Sequence, residues 1–171
     1  MTGPIEIFDI VDEHDRVIGQ APRAEVHRHR LRHRAVHILV FNEDGDLFIQ
    51  KRAASKDEFP NCYDSSAAGH LDQGEDYDTC ARRELREELD LVIPADRWEK
   101  LFQIAACPET GCEFVWVYRV TTSESPRINR QEIESGEFWP LPRVLQAVAA
   151  HPEQFATGFV RILHEWRKRT G

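Results

Sequence analysis

At 171 residues, with 41% hydrophobic and 30% charged side chains, the chain is long enough for one domain with a core and too well balanced to be disordered. Its formal charge of −8, from 22 Lys plus Arg against 30 Asp plus Glu, argues against nucleic acid as a partner, because proteins that hold polyanions by bulk electrostatics are basic. No apolar run approaches the roughly 20 residues a membrane span needs, and the Met1–Glu6 start lacks the charged-then-apolar pattern of a secretory signal, so a cytoplasmic protein without membrane contact is expected.

Residues 5–11 alternate apolar and polar side chains, Asp12-Glu13-His14-Asp15 is a turn, and residues 17–20 return: an N-terminal β-hairpin. Residues 22–34 are basic and irregular, with Arg23, Arg28, Arg30, Arg32 and Arg34, and read as a connector. His27, His29, His33 and His37 gather there, either as phosphate or metal contacts or as polar residues leading into a strand. Residues 35–41 are nearly all apolar and read as a buried strand, with residues 47–52 returning after the Asn42–Gly45 turn as its antiparallel partner. Lys51 and Arg52 end that strand and are candidate substrate contacts, since Arg offers a bidentate fork to phosphate. Residues 53–64 are a loop, and residues 65–68 lead into Gly69.

Residues 76–89 have a helical pattern, with Ala81, Leu85 and Leu89 on one i, i+4 line that can pack on a sheet. Residues 98–106 and 113–120 are two further strands joined by a turn at Pro108-Glu109-Thr110-Gly111. Phe114, Trp116 and Tyr118 share one face of the second, either toward the core or as a stacking surface. A polar loop (121–131), a short strand Glu137-Phe138-Trp139, and two closing helices (141–149 and 155–168) complete the chain. The four cysteines, Cys62, Cys80, Cys107 and Cys112, form no CxxC pair and read as reduced thiols. The order of elements implies an α/β (α+β) fold, a mixed sheet between helices. It reads as a single domain with a hairpin at 1–22, a core at 23–141 and a helical pair at 142–171.

The chemistry concentrates in Gly69-His70-Leu71-Asp72-Gln73-Gly74-Glu75 and the helix behind it. Glu84, Glu87 and Glu88 are spaced i, i+3, i+4, which puts three carboxylates on one helix face, roughly 5–6 Å apart at Cβ. Such a group either sits on a solvated face with Arg83 and Arg86 as partners or holds a hard cation such as Mg²⁺, which binds carboxylate and water oxygens and bridges to phosphates. An acidic enzyme acting on an anionic substrate needs such a cation.

Taken together, the segment resembles the Nudix box, G-x5-E-x7-R-E-U-x-E-E-x-G-U. Gly69, Glu75, Arg83, Glu84, Leu85, Glu87, Glu88 and Leu91 stand at their places, and Asp90 stands where the late glycine belongs. The resemblance implies the Nudix fold, a Mg²⁺-dependent hydrolase (Mn²⁺ substituting), and cleavage of a phosphoanhydride in a nucleoside di- or triphosphate or another nucleoside-diphosphate-linked small molecule. It further implies that Glu84, Glu87, Glu88 and the Gly69 carbonyl hold the metal, and that Arg83 pairs with Glu75. Residues 5–70 are also similar to the isopentenyl-diphosphate-isomerase branch, through Leu31-Arg32-His33, Lys51-Arg52 and Ser66-Ala67-Ala68-Gly69-His70. That branch carries metal ligands at the positions of His33, His70 and Glu113, and a catalytic cysteine where this chain has Ala68. An isomerase is therefore the alternative that Ala68 disfavours. A binding module that had lost the chemistry is disfavoured by the intact glutamates, and an RNA-cap hydrolase by the lack of a broad basic surface. Of the loop and strand-end acids Glu109, Glu113, Glu132 and Glu134, the spacing does not say which adds a further carboxylate to the site.

Overall fold

The computed structural model describes residues 3–171. The chain opens with β1 (Ile7–Val11) and β2 (Val17–Pro22), paired antiparallel. Their turn is closed by Asp12, whose carboxylate accepts the N–H groups of His14 and Arg16 at 2.8 and 3.0 Å. The expected irregular connector is instead a helix, α1 (Arg23–His29). Val26 is its one buried residue and packs with Phe8 and Ala21, so tertiary docking holds a helix that has no apolar periodicity of its own.

Next come β3 (His33–Phe41), β4 (Leu47–Arg52), β5 (Tyr63–Asp64) and β6 (Ala67–His70), then α2 (Tyr77–Leu89), β7 (Trp98–Ile104) and β8 (Glu113–Thr121). The chain closes with β9 (Ile133–Trp139), α3 (Leu141–Ala150) and α4 (Thr157–Thr170). The main sheet has seven strands, with order β5-β4-β3-β8-β7, β6 beside β3 and β9 beside β4. The β3–β8 pair is parallel and the remaining pairs are antiparallel. The hairpin expected between residues 35–41 and 47–52 pairs only at its turn, Phe41 with Leu47. Below that point β6 takes the place beside β3, while β4 builds its ladder on β9. β9 is accordingly longer than the three residues its sequence suggests.

Both sheet faces are covered. Leu39, Ile49 and Val117 pack under Val144, Phe159 and Ile162 of α3 and α4. Ile38, Val40 and Phe48 pack under Ala81, Leu85 and Leu89 of α2. Trp116 and Tyr118 face this second core, and the Tyr118 hydroxyl donates to Asp78 at 2.5 Å. The four cysteines are free; Cys80 is buried and Cys107 and Cys112 are half-buried. Among the described residues, no helix is long and apolar enough to cross a membrane.

Candidate active site

α2 starts at Asp76, whose carboxylate accepts the Thr79 N–H at 2.8 Å, and it buries Ala81, Leu85 and Leu89 against the sheet. That packing fixes the rotation of the helix and turns Glu84, Glu87 and Glu88 toward a cavity of about 200 Å³, which Gly69, His70 and Arg83 also line. Glu88 is buried, and its carboxylate accepts a hydrogen bond from Gln50 at 2.9 Å. Burial and the neighbouring charge of Glu84 push the Glu88 carboxyl well above the usual range. Burial likewise pushes Glu84 up to about 7, against the pull of Arg83. Glu87 is half exposed and lies 3.3 Å from Arg83.

Arg83 gives Glu75 a bidentate pair, with both N···O distances 2.8 Å, and reaches the carbonyl of His70 at 3.1 Å. The Glu75 carboxylate also accepts the Asp72 N–H at 2.9 Å, so one guanidinium ties the loop after β6 to the helix. Burial would push Glu75 up, but the hydrogen bonds from Arg83 and Asp72 outweigh it and hold the carboxyl low. Gly69 lies directly against Glu84: a Cβ at position 69 would overlap the Glu84 carboxyl group. The glycine is what permits backbone and carboxylate to approach so closely.

Of the two basic residues at the end of β4, only Arg52 lines the cavity. It donates to Asp64 at 3.1 Å. Lys51, the other candidate substrate contact, does not line the cavity and sits 3.6 Å from Glu134. The reason is strand alternation: Gln50 and Arg52 share one face of β4, and Lys51 points from the other. Gln50 was legible by the same rule. Lys56, ion-paired with Glu132, is a further cation on the wall that the sequence did not single out. Of the four loop acids, Glu113 and Glu132 line the cavity.

A second group of donors reaches the cavity through His70 and Glu113. His33, His70 and Glu113 are joined there by His27 from α1, with one donor atom of each residue within 4.8 Å of the others. His33 Nδ1–H donates to the Leu31 carbonyl at 2.8 Å, which turns Nε2 toward the group. That Nε2 is buried without a hydrogen-bond partner, 3.3 Å from the Glu113 carboxylate, and His27 Nε2 is likewise buried and unpartnered. Glu113 also contacts His70 Nε2 at 2.6 Å. Burial works against the Glu113 carboxylate, but the imidazoles outweigh it and hold the group well below the usual range. Orphaned imidazole nitrogens around a carboxylate form a donor set that a cation satisfies. Sequence alone left His27 open between a metal contact and a polar connector residue; α1 brings it here by docking on the hairpin. His29 is exposed and takes no part.

Asp90, the break in the box, ends α2 in the left-handed region with φ 54° and ψ 37°, and its N–H donates to the Arg86 carbonyl at 3.0 Å. It does not line the cavity.

The sequence model of the NUDIX domain family matches residues 31–158. A Deinococcus radiodurans protein described as a Nudix hydrolase is 35% identical over 145 residues, covering 85% of each chain. A Photorhabdus laumondii isopentenyl-diphosphate Delta-isomerase is 30% identical over 161 residues, covering 93% of this chain and 91% of its own. A crystal structure of a Deinococcus radiodurans protein superposes with a TM-score of 0.82 at 30% identity, covering 94% of this chain and 98% of that one. Box, sheet and relatives agree, and the chain belongs to the Nudix hydrolase family.

Proposed function

We propose that the protein is a Mg²⁺-dependent hydrolase that cleaves a phosphoanhydride bond in a nucleoside di- or triphosphate or another nucleoside-diphosphate-linked molecule. The observation that carries this reading is the crowding of Glu84, Glu87 and Glu88 in one cavity, two of them held in a state that disfavours ionisation. A hard divalent cation relieves that crowding. The three glutamates and the Gly69 carbonyl would hold Mg²⁺ or Mn²⁺, both of which accept oxygen ligands. When bound, the cation lowers the pKa of a water and neutralises phosphate charge.

The chain's own groups do the rest. Arg83, fixed by Glu75, orients Glu84 and Glu87. Arg52 and Lys56 offer positive charge to the phosphates. One of the box glutamates, or Glu132 on the cavity wall, receives the proton of the attacking water. His27, His33, His70 and Glu113 would hold a second cation through three imidazoles and a carboxylate. The similarity to an isomerase does not extend to its chemistry, because the methyl group of Ala68 can neither donate nor accept a proton. An acidic chain with four free thiols suits the cytoplasm.

A panel of nucleotides and nucleoside-diphosphate conjugates incubated with Mg²⁺ and followed by phosphorus NMR tests the assignment. Hydrolysis at an anhydride phosphorus that stops with a chelator and resumes with Mg²⁺ is expected. No turnover of any member, or turnover in metal-free buffer, would overturn it.

A further inference from the structure

His37 lines the cavity and belongs to neither donor group. It is buried, and its Nδ1 is hydrogen bonded to the hydroxyl of Ser65 at 2.7 Å. Ser65 is fully buried, and the Asp64 carboxylate lies 3.9 Å from the same ring nitrogen. The ring is therefore oriented from behind by two side chains of the β5–β6 segment. Burial pushes its pKa down, so the imidazole is neutral.

The other ring nitrogen, Nε2, has no protein partner among the described residues, yet it is not among the side-chain atoms sealed from solvent. The wall beside it consists of small groups. Ala68 is the register partner of His37 on β6, and Ala35 lies two residues back on the same strand face. Gly158, in the first turn of α4, lies so close that a Cβ there would rest 3.9 Å from Nε2. A polar atom thus faces a recess that no side chain among the described residues fills.

We propose that His37 is a specificity-determining residue of the cavity, its Nε2 exchanging a hydrogen bond with a hydroxyl on the organic group attached to the substrate's phosphates, so that hydroxyl-bearing, sugar-like esters are selected over aliphatic ones. This rests on the reading of the cavity as a diphosphate-hydrolase site. A hydroxyl both donates and accepts, so it satisfies Nε2 whichever ring nitrogen carries the proton. A bound aliphatic group would displace water from the recess and leave Nε2 unpaired, and sites built around such a bond reject analogues that lack it far more strongly than apolar pockets reject extra atoms.

The test compares ADP-ribose and UDP-glucose with isopentenyl diphosphate, on wild type, His37→Leu and His37→Gln. Turnover is read as kcat/KM with Mg²⁺, and binding is read by calorimetry with Ca²⁺ in place of Mg²⁺, so that the result does not depend on turnover. Wild type should favour the better hydroxylated probe over isopentenyl diphosphate by at least about 100-fold. His37→Leu should lower affinity and kcat/KM for that probe by at least about 30-fold while changing isopentenyl diphosphate less than about threefold; His37→Gln, which still donates and accepts, should stay within about tenfold of wild type. Because loss of the Ser65 contact can weaken the fold, Gly158→Leu, which fills the recess from α4, provides a second variant and should depress the same probe selectively. An unchanged preference in the folded His37 and Gly158 variants, or a wild type that binds no hydroxylated probe, overturns the proposal. If binding follows His37 but no probe is hydrolysed, the hydrolase reading fails and the specificity assignment stands.

Discussion

Gly69 and Glu84 occupy one volume between β6 and α2: any side chain on the first would have to displace the carboxyl group of the second. Gly69→Ala is therefore expected to move Glu84 from its place against the backbone. Overpacking of this kind typically destabilises by about 1–3 kcal/mol, and we expect kcat/KM to fall at least about tenfold, since small misplacements at a reacting centre are amplified in rate. Urea denaturation and steady-state kinetics measure the two effects. A variant with wild-type turnover would show that the close approach is not used.

Glu87→Gln and Glu88→Gln should each lower kcat by at least about 100-fold with the fold retained, the range typical for loss of an electrostatic group at a reacting centre. Their stabilities should diverge. Glu88 is buried with its carboxyl pushed up, so a neutral amide there removes a disfavoured charge and should raise the melting temperature of the chelator-treated protein at pH 8. Glu87 is half exposed and should leave it nearly unchanged. Near-normal turnover in both variants would mean that any catalytic metal sits elsewhere.

The raised carboxyls also give a pH signature. Glu84 ionises near 7 in the folded protein against 4.5 as its ordinary value, so the folded state holds the proton more tightly than the unfolded chain. The stability it contributes is complete below about pH 4.5 and is lost as pH rises through 7; Glu88 extends the loss higher. Glu113 acts in the opposite sense, its contribution being present above 4.5 and lost as pH falls below it. Without metal, the wild type should lose stability from pH 5 to pH 8 relative to a Glu84→Gln variant, a comparison that cancels the opposite trend of the buried His37, and the rise on adding Mg²⁺ should be larger at pH 8 than at pH 5. Differential scanning fluorimetry with and without chelator measures both, and an Mg²⁺ effect independent of pH would count against the glutamates as ligands.

Asp90→Gly should leave kcat/KM unchanged and stabilise by up to about 1 kcal/mol. The residue already holds a left-handed conformation that glycine adopts without penalty, and its charge lies at the negative end of α2, faced by the exposed Arg127 at 3.9 Å. A tenfold loss of kcat/KM without loss of stability would show that Asp90 takes part in the chemistry.

The legible parts of the molecule were those written in local spacing. Ala81, Leu85 and Leu89 gave α2 its buried face, and that face sets the side of the helix from which Glu84, Glu87 and Glu88 project. The Glu75–Arg83 pair could be anticipated because both residues lie within one loop-and-helix unit. α1 could not, since Val26 is its only buried residue and the helix exists by docking on Phe8 and Ala21. With α1 went the placement of His27. The split between Lys51 and Arg52 was available from strand alternation, which the motif Lys51-Arg52 obscured. The departure of β4 from β3 was not available, because it depends on β6, a four-residue strand with little propensity of its own, arriving from farther along the chain.

That short strand separates two kinds of chemistry by parity. Gly69 meets the glutamates of α2, and His70, the next residue, meets Glu113 and the other histidines on the opposite side of the strand. A slip of β6 by one residue would exchange the two, thrusting an imidazole among the carboxylates and a bare backbone among the histidines. Ser66 guards against this: its hydroxyl accepts the Val40 N–H at 2.8 Å and donates to the Phe48 carbonyl at 2.6 Å, clamping the chain to β3 and β4 just before β6 begins. One buried hydroxyl thus acts as the index mark that tells an oxygen-rich compartment from a nitrogen-rich one.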